Sequence, residues 1–524
     1  MNHLAVIISL IFSISFSQNT GFSTTPEQDL GLIPTQLQVP EKFNGLINPN
    51  LTVNLPKGFV AKVFHIGGLS KPRFFAWSPD SILHVANLSS GKIIALPDLD
   101  KDGIADTAIT VAGNFRNPHD LAFYNGDLYV AEEHQITKLT DSDKNGKYEN
   151  RQVIIDNIPT GGHYTRTIVF DPPNKKMYLS IGSSCNVCRE NDRAIIEQYN
   201  DDGSGRRTFS TGVRNAVGMT LRPSTGKLWA TNNGSDRQGN NIPPEWIDII
   251  REGGFYGHPF AYANQVYFDF YAHSQYTNLL PITSSDSARV RKMVQPAALV
   301  QAHSAPMAIK FGNNSFLPLF QNGAFVAYRG SWNRWPATGY KIVYLNFTSG
   351  EDTTANFVAD FLTGFLTDSI SSPPQRWARP VGIETDNNGN LYVGSDAINE
   401  FIMIIVSPDY TVGVEDDDHT LNIPFNIEQN YPNPFNPSTT IRFDLPVVSD
   451  VILTIYNTRG QKVKTFQYQN ISSGYHSVTW NGTNDFGKKV GAGVYLYQLM
   501  ARLHSISDGQ GRDFVKTKKM ILMK

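Results

Sequence analysis

Cysteine is almost absent: the 524-residue chain has two, Cys185 and Cys188, in a single C-x-x-C within SSCNVC. Two thiols cannot build a four-ligand structural zinc site, and a redox C-x-x-C opens a helix in a βαβ unit, which does not surround this one. The expectation is a local disulfide or a pair of loop thiols. Charge is sparse as well, 18% of residues with a net of −2 and no basic tract. That excludes a nucleic-acid binder acting by phosphate neutralisation. There is no P-loop, and no G-x-G-x-x-G at a strand-to-helix junction, so nucleotide phosphates are poor ligands. Glycine (42) and proline (30) stand near average usage and no low-complexity block occurs, which excludes fibrous and wholly disordered classes. Long apolar runs are missing too. The stretch from Leu4 to Phe16 is too short to span a bilayer, and with small residues at Ser15 and Ser17 it reads as a signal peptide over 1–17, although its start lacks Lys and Arg. An exported protein without a transmembrane span in the mature chain is expected.

What is present is a repeat. A strand signature recurs at Leu83-His84-Val85-Ala86, Leu128-Tyr129-Val130-Ala131, Met177-Tyr178-Leu179-Ser180, Leu228-Trp229-Ala230-Thr231, Ala324-Phe325-Val326-Ala327 and Leu391-Tyr392-Val393-Gly394. The first four copies are 45, 49 and 51 residues apart, close to the ~40 to 50 of a four-stranded propeller blade. The later gaps of 96 and 67 imply insertions. A second element precedes each copy, beginning at Arg73, His119, Thr167, Ala216, Pro306 and Pro380, and reads as the inner strand of a blade. Phe59 to Ile66 is suited to pair with Glu400 to Val406 and close the ring. The organisation expected is all-β: an N-terminal extension over 18–49, a six-bladed β-propeller over 50–408, an acidic linker over 409–420 and a small Ig-like β-sandwich over 421–524.

Loops entering the inner strands converge at one end of a propeller. Here they carry Arg73, His119, His163 with Arg166, Arg214 with Asn215, His303 and Arg379. Guanidinium groups recognise carboxylates bidentately, so a neutral protein with several arginines at one mouth has an anion site. Trp332 and Trp335 could floor a sugar ring. Two acidic loops, DLDKDGIAD (Asp98, Asp100, Asp102) and DSDKNGKYE (Asp141, Asp143, Glu149), begin like calcium loops. Their twelfth positions, Ile109 and Gln152, lack the closing Glu, so solvated turns are the expectation.

These segments also carry a family likeness. GGHYTRTIVF, IGSSCNVC, GVRNAVGM, LWATNNGSD, GGFYGHPF, AHSAPMAIKF, RGSWNRWPATGYK, DFLTGFL and RPVG resemble, in order, the soluble sugar dehydrogenases dependent on pyrroloquinoline quinone (PQQ), especially the sorbosone dehydrogenase-like branch. The resemblance runs from about residue 55 to 405. It implies a six-bladed propeller and a tricarboxylate cofactor, which suits the arginines. It implies His163 as the general base for a sugar hydroxyl, and Arg214 and Asn215 as contacts to the quinone oxygens. Gly234 and Ser235 would offer backbone carbonyls to calcium, and Arg329, Arg334, Lys341 and Arg379 would meet cofactor carboxylates. Two positions depart from the glucose-oxidising members: Ser183 stands where they have Asp, and Asn233 where they have Gln. With an unperturbed imidazole, a base at His163 gives a rate rising through pH ~6 to 7.

At the other end, YPNPFNPSTTI, YNTRGQKV, WNGTNDFGKKVGAGVYLYQL and KTKKMILMK resemble the type A C-terminal sorting domain of the type IX secretion system. That implies export through the periplasm to the medium or cell surface, with the secretion machinery as a partner. The function expected is oxidation of an aldose or related sugar aldehyde, with a small-molecule sugar as substrate and an electron acceptor the sequence does not name. Two alternatives of other classes are a calcium-dependent lactone hydrolase, which needs carboxylates around an axial metal, and a non-catalytic carbohydrate-binding propeller, which needs no cationic ring.

Overall fold

The computed structural model describes residues 22–313, 320–406, 425–430, 432–445, 449–471, 474–503 and 513–523. The expected signal peptide (1–17) and linker (409–420) lie outside the described residues.

Each sequence repeat folds into a four-stranded antiparallel sheet. The first sheet comprises Pro72–Trp77, Leu83–Asn87, Lys92–Leu96 and Ile109–Ala112. The second runs from Asp120–Tyr124 to Asn150–Ile155, the third from Ile168–Asp171 to Arg207–Thr211, and the fourth from Met219–Leu221 to Ala298–Val300. The fifth opens with Pro306–Phe311. The sixth takes Pro380–Thr385, Leu391–Ala397 and Asn399–Val406, and its outer strand is Val60–Ile66, with Val406 opposite Val60 and Phe401 opposite Ile66. The six innermost strands neighbour one another in a closed cycle. This is a β-propeller whose two chain ends are stitched together in one sheet.

The repeat signature is the second strand of each sheet, and Leu83–Asn87, Leu228–Asn232 and Ala324–Tyr328 are buried throughout. A strand between two packed faces reads as a continuous apolar run rather than an alternation, which is why the copies are recognisable. Side chains from adjacent sheets interlock: Trp229 of the fourth meets Phe311 and Phe347 of the fifth with ring centroids 5.4 and 5.3 Å apart. Between the sixth and first sheets, a Cβ on Gly394 would come within 2.7 Å of the Phe75 ring, so only glycine lets that aromatic seat.

The 96-residue gap is filled between the third and fourth strands of the fourth sheet, by a hairpin (Ala261–Tyr262 with Val266–Tyr267) and helices Ser274–Thr277 and Ser284–Arg291. The gap of 67 holds the hairpin Leu366–Asp368 with Gln375–Arg376. The N-terminal extension is built into the propeller. Glu27–Gln28 adds a parallel strand to the fifth sheet, and Leu37, Phe43 and Ile47 share a core with Val63 and Met403 of the sixth.

The C-terminal residues form a separate core between two sheets, centred on Trp480 and Tyr497. The NPFNP motif serves as its clasp: Phe435 is buried 5.6 Å from Trp480, and Asn433 Oδ1 accepts the Ile521 amide of the last strand at 2.9 Å.

Candidate functional site

Where the inner-strand loops meet, a cavity of about 330 Å³ opens, within the range of small-molecule sites. His163, Arg214, Asn215, Gly234, Arg329 and Arg379 line it, joined by Arg73, Asn233, Asp236, Glu245, His303, Trp332 and Asn333.

His163 is aimed by backbone. Its Nδ1 donates to the Ser183 carbonyl at 2.7 Å, with Ser183 Oγ 3.1 Å away, which fixes the tautomer and leaves Nε2 as the acceptor. Ser183 thus does the orienting work that a carboxylate would otherwise do. The preceding glycines are needed for shape: both have positive φ, and a Cβ on Gly162 would lie 2.4 Å from the Ser184 carbonyl oxygen. Two buried arginines pin this loop. Arg166 donates to the carbonyls of His163 (2.9 Å) and Thr165 (2.7 Å), while Arg193 donates to Gly182 (2.9 Å), Thr160 (2.8 Å) and Gly161 (2.6 Å). Arg166 is therefore a brace rather than a mouth residue. Cys185 and Cys188 form the expected local disulfide, and Ser183 Oγ donates to the Cys185 carbonyl at 2.7 Å, tying that loop to the base. Burial first, and then the Arg214 charge, lower the His163 pKa to about 4. The expected titration between pH 6 and 7 is therefore displaced downward, because a charged imidazole is disfavoured beside guanidinium groups in a desolvated loop.

Four guanidinium groups, from Arg73, Arg214, Arg329 and Arg379, face this cavity. Arg73 and Arg329 share the buried carboxylate of Asp396, Arg329 Nε lying 2.9 Å from its Oδ1. Arg379 instead donates to the backbone carbonyls of Arg329 (3.1 Å) and Gly330 (2.8 Å), and burial together with Arg329 lowers its pKa to about 10, so it stays charged near neutrality. The carboxylates present, Asp236, Glu245 and Asp396, do not balance four cations, and burial raises the Glu245 pKa to about 8. The excess of positive charge at this mouth suits an anionic ligand. A tricarboxylate fits that donor set.

The oxygen side is more mixed. Gly234 O accepts from Arg214 Nη1 at 2.7 Å, and Ser235, outside the cavity lining, accepts from the Tyr276 hydroxyl through its side-chain Oγ at 2.8 Å. The Gly234 carbonyl is thus already engaged within the protein. The Asn233 Oδ1, however, is buried without a donor among the described residues, and with Asp236 and Glu245 nearby in the lining it offers hard oxygen ligands of the kind calcium takes. Arg334 and Lys341 do not reach this mouth. Both line a different cavity between the fourth and fifth sheets, where Lys341 Nζ pairs with Asp360 at 2.5 Å. His119 is buried outside the lining, its Nδ1 accepting from Arg73 Nε at 3.1 Å. Trp332 lines the cavity at its edge and is 74% exposed, whereas Trp335, 59% exposed, lies outside the lining. Asp236, Glu245, Asn333 and Arg193 are the residues the sequence reading missed. Asp236 and Asn333 had local signals, inside the family-like segments LWATNNGSD and RGSWNRWPATGYK. The acidic triplets Asp98, Asp100, Asp102 and Asp141, Asp143, Glu149 cluster on turns between third and fourth strands of the first two sheets, where backbone amides of their own loops occupy several carboxylate oxygens.

Fold and mouth together define a propeller with a small-molecule site for an anionic ligand beside an oriented neutral histidine. The chain belongs to the TrAA12-like family, whose model matches residues 53–407. The FlgD Ig-like domain model matches residues 435–504. A Borreliella burgdorferi protein is 28% identical over 371 residues, covering 67% of this chain and 90% of its own length. The pyrroloquinoline quinone-dependent pyranose dehydrogenase of Coprinopsis cinerea is 25% identical over 411 residues, covering 69% of this chain but 55% of that enzyme. The holo PQQ domain of that dehydrogenase superposes with a TM-score of 0.58 at 23% identity, over 69% of this chain and 98% of the domain.

Proposed function

We propose that the protein is a PQQ-dependent dehydrogenase oxidising an aldose or related sugar aldehyde to the lactone or acid. The observation that carries this reading is the unbalanced arginine cluster set against one oriented, uncharged imidazole. Arg379, Arg329 and Arg214 would hold the carboxylates and quinone oxygens, with Asn215 beside them, and Asn233 with the neighbouring carboxylates would hold calcium. When bound, PQQ supplies the two-electron acceptor for the substrate carbon. His163 Nε2 takes the proton of the reacting hydroxyl, a transfer its neutral form is ready to make above pH ~4. Arg214, which lines the same cavity as the base, would stabilise negative charge developing in the reaction. Arg166, Arg193 and Ser183 hold that base still.

We also propose that the C-terminal domain directs type IX export, a reading supported by its motifs and by the clasp that NPFNP makes on the final strand. Replacing Phe435 by Ala would open the clasp. Retention of the full-length variant in the periplasm, with wild-type protein reaching the cell surface or medium, is the expected result. Equal export of both would dismiss the motif's role.

The functional reading is tested by His163→Gln, which keeps size and hydrogen bonding but cannot accept the proton. Turnover should fall ~10²- to 10⁴-fold with the quinone still bound. Full activity would move the base elsewhere.

A further inference from the structure

Beside Asp236, the rim of the same cavity has a polar wall whose Trp332 and Asn333 the proposed chemistry leaves unused. Asn333 Nδ2 donates to Asp236 Oδ1 at 2.5 Å, which settles the orientation of the amide and turns Oδ1 outward from that bond. The Oδ1 is buried, and among the described residues no donor reaches it. An amide oxygen left in this state costs free energy unless a ligand donates to it. His303 completes the wall: its Nε2 donates to the Gly239 carbonyl at 2.9 Å, leaving Nδ1 3.8 Å from Asp236 Oδ1.

One residue before Asn333, the Trp332 indole stands 74% exposed while still lining the cavity. The loop that carries both is braced. Ser331 N donates to the Thr338 carbonyl at 2.9 Å, the Tyr340 hydroxyl donates to the Ser331 carbonyl at 2.6 Å, and Asn240 Nδ2 donates to the Trp335 carbonyl at 2.7 Å. Trp335 itself is tethered through Nε1 to the Ile370 carbonyl at 2.9 Å. A flat apolar ring held at the edge of a polar pocket, next to an acceptor that lacks a donor, suits a molecule with one C–H face and a hydroxyl on its edge.

We infer that Trp332 and Asn333 form the saccharide-recognition wall of this mouth, the indole taking the ring face of a pyranose and Asn333 Oδ1 accepting one of its hydroxyls. This rests on the reading of the cavity as a sugar site but not on the quinone. Asp236 and His303 position the amide and act through it.

The test uses the full-length protein and 1,5-anhydroalditols, which keep the pyranose ring and its hydroxyls but have no anomeric hydroxyl to oxidise. Binding is measured by calorimetry with and without PQQ and calcium. Expected are saturable binding of at least one anhydroalditol, a loss of about tenfold or more in Trp332→Ala and in Asn333→Leu, and substantial recovery in Trp332→Phe, which retains an aromatic face. Trp335→Ala removes one tether of the loop but nothing from the lining, so it serves as the control for loop disturbance and should weaken binding less than Trp332→Ala or Asn333→Leu does. Wild-type affinity in both Trp332→Ala and Asn333→Leu would overturn the inference, as would binding of none of the probes. A selective loss of calcium affinity in Asn333→Leu with saccharide binding intact would make Asn333 a metal ligand and equally overturn it. Quinone binding is followed separately by absorbance. Saccharide binding that depends on Trp332 and Asn333 in a protein unable to take up PQQ would therefore uphold the wall and dismiss the dehydrogenase, and the converse pattern would do the reverse.

Discussion

At the scale of single residues, the account turns on His163 and Arg379, and each has a sharp consequence. Because burial and Arg214 lower the His163 pKa to about 4, the neutral base is present above that pH, and the acid limb of the rate profile should lie near pH 4 rather than 6 to 7. An anion bound on the arginines would move it upward by offsetting their charge. A proton-NMR titration of His163 in the apo-protein checks the first statement, and a midpoint near 6.5 would contradict it. Arg379 makes its bonds to carbonyls and, among the described residues, is not paired with a carboxylate of its own, so Arg379→Ala should weaken PQQ roughly ten- to a hundredfold, a charge-assisted contact being worth ~1.5 to 3 kcal/mol. Unchanged affinity would remove it from the site. Both residues are legible in the sequence because each opens an inner strand, His163 behind two glycines and Arg379 in RPVG. Arg193 is not, since its partners Thr160, Gly161 and Gly182 come together only when two loops meet.

At the scale of elements, strand phase decides what local spacing cannot. Arg329, Arg334 and Lys341 fall within thirteen positions, and the resemblance groups them. Arg329 follows a second strand, Ala324–Tyr328, at the mouth, whereas Lys341 begins the third strand opposite Tyr328 and faces another cavity. The GGH loop is the element most exposed to a small change. A methyl at Gly162 meets the Ser184 carbonyl oxygen at 2.4 Å in a backbone region with φ +58°, and one at Gly182 meets Asn215 Oδ1 and the His163 Cβ, both at 2.7 Å. Gly162→Ala and Gly182→Ala should each cut turnover strongly by displacing the base, with the circular dichroism of the propeller retained. Activity equal to wild type would show that the loop's geometry is not what aims His163. The repeat strands themselves were readable because burial on both faces removes the polar alternation, while the hairpin and helices inside the fourth sheet carry no repeat and declare themselves only as an unfilled gap.

At the scale of the whole molecule, the buried clusters of the described residues fall into two sets from separate stretches of chain, those of the N-terminal extension and propeller and the one around Trp480. A protein of residues 18–410 should therefore fold without the C-terminal domain. One beginning at residue 70 should not, because it lacks Val60–Ile66, the strand that closes the sixth sheet, and one beginning at 50 should melt at a lower temperature for want of Leu37, Phe43 and Ile47. Melting curves of the three order these outcomes, and equal stability would refute the structural role of the extension. The central claim concerns chemistry, and the most direct measurement adds PQQ and calcium to purified apo-protein and records the absorbance before and after an aldose is supplied. A stoichiometric bound-quinone spectrum that bleaches on sugar addition, weakened in binding by Arg379→Ala and slowed in bleaching by His163→Gln, is the expected result. A protein that takes up no quinone at any calcium concentration would contradict it.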